Sequence, residues 1–170
     1  LMPNNKTIVL DHNQIDQKVN RIAYQIYENH SKSTSIIVAG IAERGYLLAE
    51  MICQTLQNVS PLKVTLLKLK LDKSNPETGK FDLSADISSC KNKEVILVDD
   101  VLNSGRTLMY AAKVFLEAPV RKLSTAVLVE RSYRRFPIKG DYVGISLATT
   151  MQEHVEATFS KKGNHTVTLS

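Results

Sequence analysis

Asp99 and Asp100 stand side by side, and Asn103-Ser104-Gly105-Arg106-Thr107 follows shortly after them. Adjacent carboxylates suit cations or sugar hydroxyls. The polar turn suits the opposite charge, because backbone N–H groups left free at a helix N-terminus, together with the helix dipole, favour an anion. Ser104 and Thr107 can add hydroxyl donors, and Gly105 lets the backbone approach closely. One end of the stretch therefore suits a sugar or metal ion, and the other suits a phosphate. A second turn, Gly40-Ile41-Ala42-Glu43-Arg44-Gly45, carries one arginine between two glycines. Taken alone it reads as a structural turn; beside the first loop it reads as a second phosphate site, with Arg44 as the counter-charge.

These groups need elements to aim them. Val95 to Val98 is an unbroken aliphatic run, the pattern of a strand buried on both faces of a parallel sheet. An apolar-periodic run after the turn reads as a helix. On its own, paired acids before Ser-Gly fit a plain strand-to-helix turn with Ser104 as cap. Strand, acids, turn and helix in this order favour a ligand loop, since ligands of open α/β sheets bind at the carboxyl ends of strands.

The remaining chain supplies similar units. Thr7 to Leu10 reads as a short strand, and Asp11 as the cap of a helix whose Ile15, Val19, Ile22, Ala23 and Ile26 follow helical spacing. Arg21 and Tyr24 fall on that helix and read as a solvated face. Ser35 to Ala39 and Leu62 to Leu71 read as strands, with a helix over Tyr46 to Leu56 between them. Lys73 to Ala85 is poor in apolar residues and carries Asn75-Pro76 and Thr78-Gly79, which predicts a mobile, lid-like loop. Lys122 to Val129 reads as a strand, followed by a basic segment with Arg131, Arg134, Arg135 and Lys139. Ser160 to Asn164 reads as the turn of a hairpin between Val155–Phe159 and Thr166–Leu169. The expected fold is α/β: a mainly parallel, twisted sheet flanked by helices.

Composition narrows the class. With 170 residues, 43% hydrophobic and 23% charged, the chain fits one soluble domain with a full core. No apolar run is long enough to span a bilayer, and no signal-peptide pattern opens the sequence. Leu1 ahead of Met2 reads as a residue added in cloning. Cys53 and Cys90 are too few and too scattered for a disulfide framework or a zinc site, which points to a reducing cytoplasm. The formal charge of +5 suits an anionic substrate or RNA, and by itself selects neither. With 6% aromatic residues and no tryptophan, no stacking platform for single-stranded nucleic acid stands out.

V-I-L-V-D-D-V-L-N-S-G-R-T resembles the phosphoribosyl pyrophosphate (PRPP) motif of type I phosphoribosyltransferases. With G-I-A-E-R-G-Y-L-L-A, A-V-L-V-E-R-S-Y-R-R-F-P-I-K-G-D-Y-V-G and the opening helix with R-I-A-Y, it is similar to one subgroup over roughly positions 7 to 160. That subgroup is the bifunctional pyrimidine operon attenuator/uracil phosphoribosyltransferases (PyrR-like). Some positions differ from the family pattern: Asn103-Ser104 replaces Tyr-Thr, Glu130 replaces an aspartate, and Tyr24 replaces a histidine. Leu69-Lys70-Leu71-Asp72-Lys73 replaces a segment with arginine and paired aspartates.

The resemblance implies transfer of a 5-phosphoribosyl group from PRPP to a nucleobase, uracil giving UMP, with Mg2+ and release of pyrophosphate. It assigns Asp99 and Asp100 to ribose hydroxyls and magnesium, mainly through water, and Val101, Leu102 and Asn103 to Thr107 to the 5-phosphate. It assigns Ala42, Glu43, Arg44 and Gly45 to pyrophosphate, with Asp99, Asp100 and Arg44 as the catalytic set. It places Glu130, Arg131 and Val143 at the base. It implies one domain over 1–170, with a small hood partly from 130–160, a flexible loop at about 72–86, and assembly as a homo-dimer or tetramer. Alternatives left open are a regulator binding a pyr messenger RNA hairpin with little or no catalysis, and a purine phosphoribosyltransferase; an acidic residue stands at position 103 in hypoxanthine–guanine relatives, and Asn103 is a poor base.

Overall fold

The computed structural model describes residues 5–170, so Leu1 and Met2 lie outside the described residues. Among the described residues the strands and α-helices run in the order β1 (Thr7–Leu10), α1 (His12–Asn29), β2 (Ser35–Ile41), α2 (Arg44–Val59), β3 (Lys63–Leu71), β4 (Phe81–Leu83), β5 (Glu94–Leu102), α3 (Arg106–Phe115), β6 (Lys122–Arg131), β7 (Tyr142–Leu147), β8 (Val155–Thr158) and β9 (Thr166–Leu169). A six-stranded sheet has the order β4-β3-β2-β5-β6-β7, and a three-stranded sheet has the order β1-β9-β8. All pairings in the large sheet are parallel except β3 with β4. The expected parallel α/β sheet is therefore present. β1, whose sequence reads like the other strands, leaves the large sheet and pairs antiparallel with β9.

β5 occupies the middle of the sheet because both its faces are apolar. Ile96 and Val98 point into the core beneath α1 and α2, while Val95 and Leu97 point into the core beneath α3. Both sets are fully buried, as a strand between two helical layers requires. α1 starts where Asp11 accepts from the Gln14 backbone N–H at 2.9 Å while the Gln14 side chain accepts from the Asp11 N–H. Its buried residues are the five at helical spacing.

Three local outcomes differ from the sequence reading. β5 does not end at Val98: Asp99, Val101 and Leu102 stay in register with Val127, Val129 and Glu130, because a parallel neighbour keeps the backbone bonded whatever the side chains are. The 73–85 segment is not featureless; it turns through Pro76–Thr78 into β4, which pairs antiparallel with the end of β3. Arg21 does not point freely to water, since its Nη2 donates to the Val143 and Gly144 carbonyls at 2.8 and 2.5 Å.

Candidate active site

The carboxyl ends of β2, β3 and β5 meet at one cavity of about 440 Å³. It is lined by residues 42–44 and 99–108, with Lys73, His154 and Val155. The two turns singled out in the sequence therefore face one volume, with the paired acids between them.

Asp99 and Asp100 are 4% and 6% exposed. Asp99 Oδ1 accepts from the Asp100 backbone N–H at 3.0 Å and from Lys73 Nζ at 3.1 Å; Lys73 Nζ lies 3.9 Å from Asp100. Burial, then the charge of Asp100, pushes the Asp99 carboxyl up to about 7, with Lys73 opposing the rise. Two buried carboxylates already holding an ammonium are a donor set that fits a hard divalent cation.

The turn between β5 and α3 is built on Gly105, whose φ of 87° lies in the left-handed region. A Cβ there would also come within 2.8 Å of Ile138 Cγ2. α3 then begins at Arg106, whose backbone N–H donates to the Ser104 hydroxyl at 3.3 Å, and its first residues, Arg106 to Leu108, line the cavity. The turn is held from behind: the Ser104 carbonyl accepts from the backbone N–H groups of Arg135 and Phe136 at 2.9 and 3.0 Å. Arg106 is ion-paired to Glu77, which lies on the β3–β4 connection.

Across the cavity, α2 begins at Arg44. Its guanidinium lies 3.1 Å from Glu156, which also pairs with Lys6 at 3.0 Å. Gly45 does not line the cavity. It lets α2 press against β5, since a Cβ there would lie 2.7 Å from the Val98 carbonyl oxygen and 2.9 Å from the Asp99 Cα. Glu43 pairs with Lys68 at 3.1 Å, and the Ala42–Glu43 peptide is cis.

None of the three residues expected at the base lines this cavity. Glu130 accepts from the Gly140 N–H at 2.8 Å. Val143 is half-buried against the core beneath α3. Arg131, 6% exposed, donates to the Thr149 hydroxyl, Asn103 Oδ1 and the Thr150 and Glu153 carbonyls at 2.7, 3.0, 2.8 and 2.7 Å.

Lys73, His154 and Val155 were not read from the sequence as site residues. Lys73 had a signal: it follows the carboxyl end of a strand, where the other site residues also lie. His154 and Val155 had none, since they arrive with the small sheet.

The phosphoribosyl transferase domain family matches residues 5–160. The chain belongs to the phosphoribosyltransferase family. Within it, this phosphoribosyltransferase is PyrR-like: it is 31% identical over 167 residues to the bifunctional protein PyrR of Pasteurella multocida, covering 92% of each chain. The bifunctional protein PyrR of Enterococcus faecalis strain V583 is 33% identical over 159 residues, covering 88% of each. A hypoxanthine phosphoribosyltransferase of Trypanosoma cruzi superimposes with a TM-score of 0.75 over 95% of both chains at 15% identity, which shows a common fold. A hypoxanthine-guanine phosphoribosyltransferase of Bacillus anthracis gives a TM-score of 0.69 at 22% identity, covering 83% of this chain and 82% of that one. Among the described residues, no helix is long and apolar enough to cross a membrane.

Proposed function

We propose that this phosphoribosyltransferase moves the 5-phosphoribosyl group of PRPP onto a ring nitrogen of uracil, giving UMP and pyrophosphate. The observation that carries the reading is the single cavity shared by a buried acid pair and two anion loops. PRPP presents ribose hydroxyls flanked by a phosphate and a pyrophosphate, and so matches this order of groups. Asn103, where hypoxanthine–guanine relatives have an acid, favours a pyrimidine over a purine.

Asp99 and Asp100 hold the ribose hydroxyls and are the residues that would hold magnesium, mainly through water. When bound, magnesium neutralises pyrophosphate oxygens and so lowers the cost of the departing charge. Backbone N–H groups from Val101 to Thr107, with the Ser104 and Thr107 hydroxyls, hold the 5-phosphate at the start of α3. Arg44 meets the leaving pyrophosphate, on a loop shaped by Ala42, Glu43 and Gly45. Glu130, Arg131 and Val143 shape the base side from behind the phosphate turn. As the bond at the anomeric carbon breaks, its electron pair leaves with pyrophosphate. The ring nitrogen bonds the carbon, and its proton passes to solvent.

The chain acts as one domain in the cytoplasm, with both cysteines free and buried, as a reducing compartment allows. A small hood is built partly from 130–160, and segment 72–86 serves as the closing loop. Two or four copies assemble, which sedimentation measures. The test of the activity is Mg2+-dependent pyrophosphate release from PRPP with uracil, abolished by the double substitution Asp99→Asn/Asp100→Asn. Turnover with hypoxanthine, guanine or xanthine instead makes it a purine enzyme, and silence with all four bases rejects transfer.

A second role, binding a pyr messenger RNA hairpin, has support from the exposed Arg134 and Lys139, while Tyr24, 52% exposed on α1, stands where the family pattern has a histidine. Such binding is salt-dependent and strengthened by UMP; no binding at low salt rules it out.

A further inference from the structure

The contact between Arg131 and Asn103 decides which way an amide faces. A guanidinium only donates and does not lose its proton in proteins. Nη1 of Arg131 lies 3.0 Å from Asn103 Oδ1, so the carbonyl end of the amide faces the arginine. Arg131 cannot swing away without stranding donors, since Nε and Nη2 are bound to the Thr149 hydroxyl and the Thr150 and Glu153 carbonyls. No carboxylate is among its acceptors, so Asn103 is one of the oxygens that solvate a buried cation. The Nδ2 group, turned away from Arg131, is left to the cavity that Asn103 lines and where the residue is exposed. Pulling the oxygen toward a positive charge also makes the NH2 a better donor.

We infer that Asn103 is a specificity-determining donor that selects bases with an oxo group over bases with an amino group on the edge facing it, and that Arg131 is the positioning residue that sets this polarity. A carbonyl oxygen such as O4 of uracil accepts from Nδ2, whereas the amino group of cytosine sets donor against donor. The same rule separates a 6-oxopurine from adenine. This rests on the reading that the cavity takes a base next to ribose 5-phosphate.

Equilibrium binding of UMP, CMP, IMP and AMP to the full chain tests it without requiring turnover. The oxo-to-amino ratio cancels losses at the phosphate end, which each pair shares. The wild-type protein is expected to favour UMP over CMP, and IMP over AMP, by about tenfold. Asn103→Asp turns an acceptor toward the cavity while keeping the contact with Arg131, and is expected to invert the ratio. Asn103→Leu, which has neither donor nor acceptor, brings it to about one, and Arg131→Lys, which keeps the charge without the fork, lowers it. A wild-type ratio near one, no binding of any of the four, or a ratio untouched in both Asn103 variants overturns the inference. If PRPP is transferred to no base but the ratio inverts, the proposed activity fails and the inference stands.

Discussion

The ammonium of Lys73 lies 3.1 Å from Asp99 and 3.9 Å from Asp100, although it is carried by the segment leading into β4. A positive charge from one edge of the large sheet thus closes over two acids at its centre. Glu77, a few residues on, pairs with Arg106 of the phosphate turn. The connection between β3 and β4 is tied to both halves of the site by charges of the sign that a substrate and its metal would bring.

Removing that charge leaves two adjacent carboxylates with less compensation. Lys73→Met is expected to lower the melting temperature at pH 8 by roughly 3 °C, for a loss of about 1 kcal/mol. At pH 4, where protonation relieves the acid pair, the loss should be smaller. Thermal melts at the two pH values check this; an equal loss at both would mean that Lys73 acts through packing alone.

Asp99 sets a trade between stability and chemistry. Its folded-state pKa, about 7, lies above the ordinary 3.8, so the native state holds the proton more tightly than the unfolded chain does. Stability therefore falls as pH rises from about 4 to about 7. Asn keeps the oxygen that accepts from the Asp100 N–H and cannot ionise. Asp99→Asn is expected to stabilise the protein at pH 8 by ~2 kcal/mol, roughly 6 °C, with little gain at pH 4. Transfer should drop by at least about tenfold. A destabilised Asp99→Asn at pH 8 contradicts this account.

Gly105→Ala tests the phosphate turn. The left-handed φ and the contact with Ile138 both act against a side chain, at a cost of ~1–3 kcal/mol. Weaker binding of ribose 5-phosphate should accompany the lower melting temperature, since the turn and the start of α3 move together. Calorimetry with ribose 5-phosphate reads the first effect and a melt reads the second.

The terminal hairpin carries its own pH dependence. His165 Nδ1 accepts from the Ser160 N–H at 3.1 Å, and its ring lies 4.7 Å from that of His12. Burial, then His12, holds the His165 pKa below its usual value, against the opposing charge of Asp16. The unfolded chain binds the proton first, so this contribution is present above the ordinary 6.5 and is lost as pH falls below it. The wild-type protein should lose more stability than His165→Gln between pH 7.5 and pH 5; equal losses would place the acid sensitivity elsewhere.

The sequence by itself determined what is local. The aliphatic run before Asp99, the turn around Gly105 and the cap at Asp11 each depend on neighbours a few residues away, and all form as their residues predict. The parallel sheet was legible for the same reason, because a strand with two apolar faces has few other places to go. Tertiary structure decided which side chains meet. Lys73 reaches Asp99, 26 residues ahead, and Arg131 closes on acceptors 18 to 22 residues ahead and on Asn103, 28 behind. A long cation carries no pattern that tells cavity from scaffold, and the choice is made by which buried oxygens the fold leaves without a donor. Arg131 therefore braces the site from behind, and Lys73, which reads as the start of a loop, stands inside it.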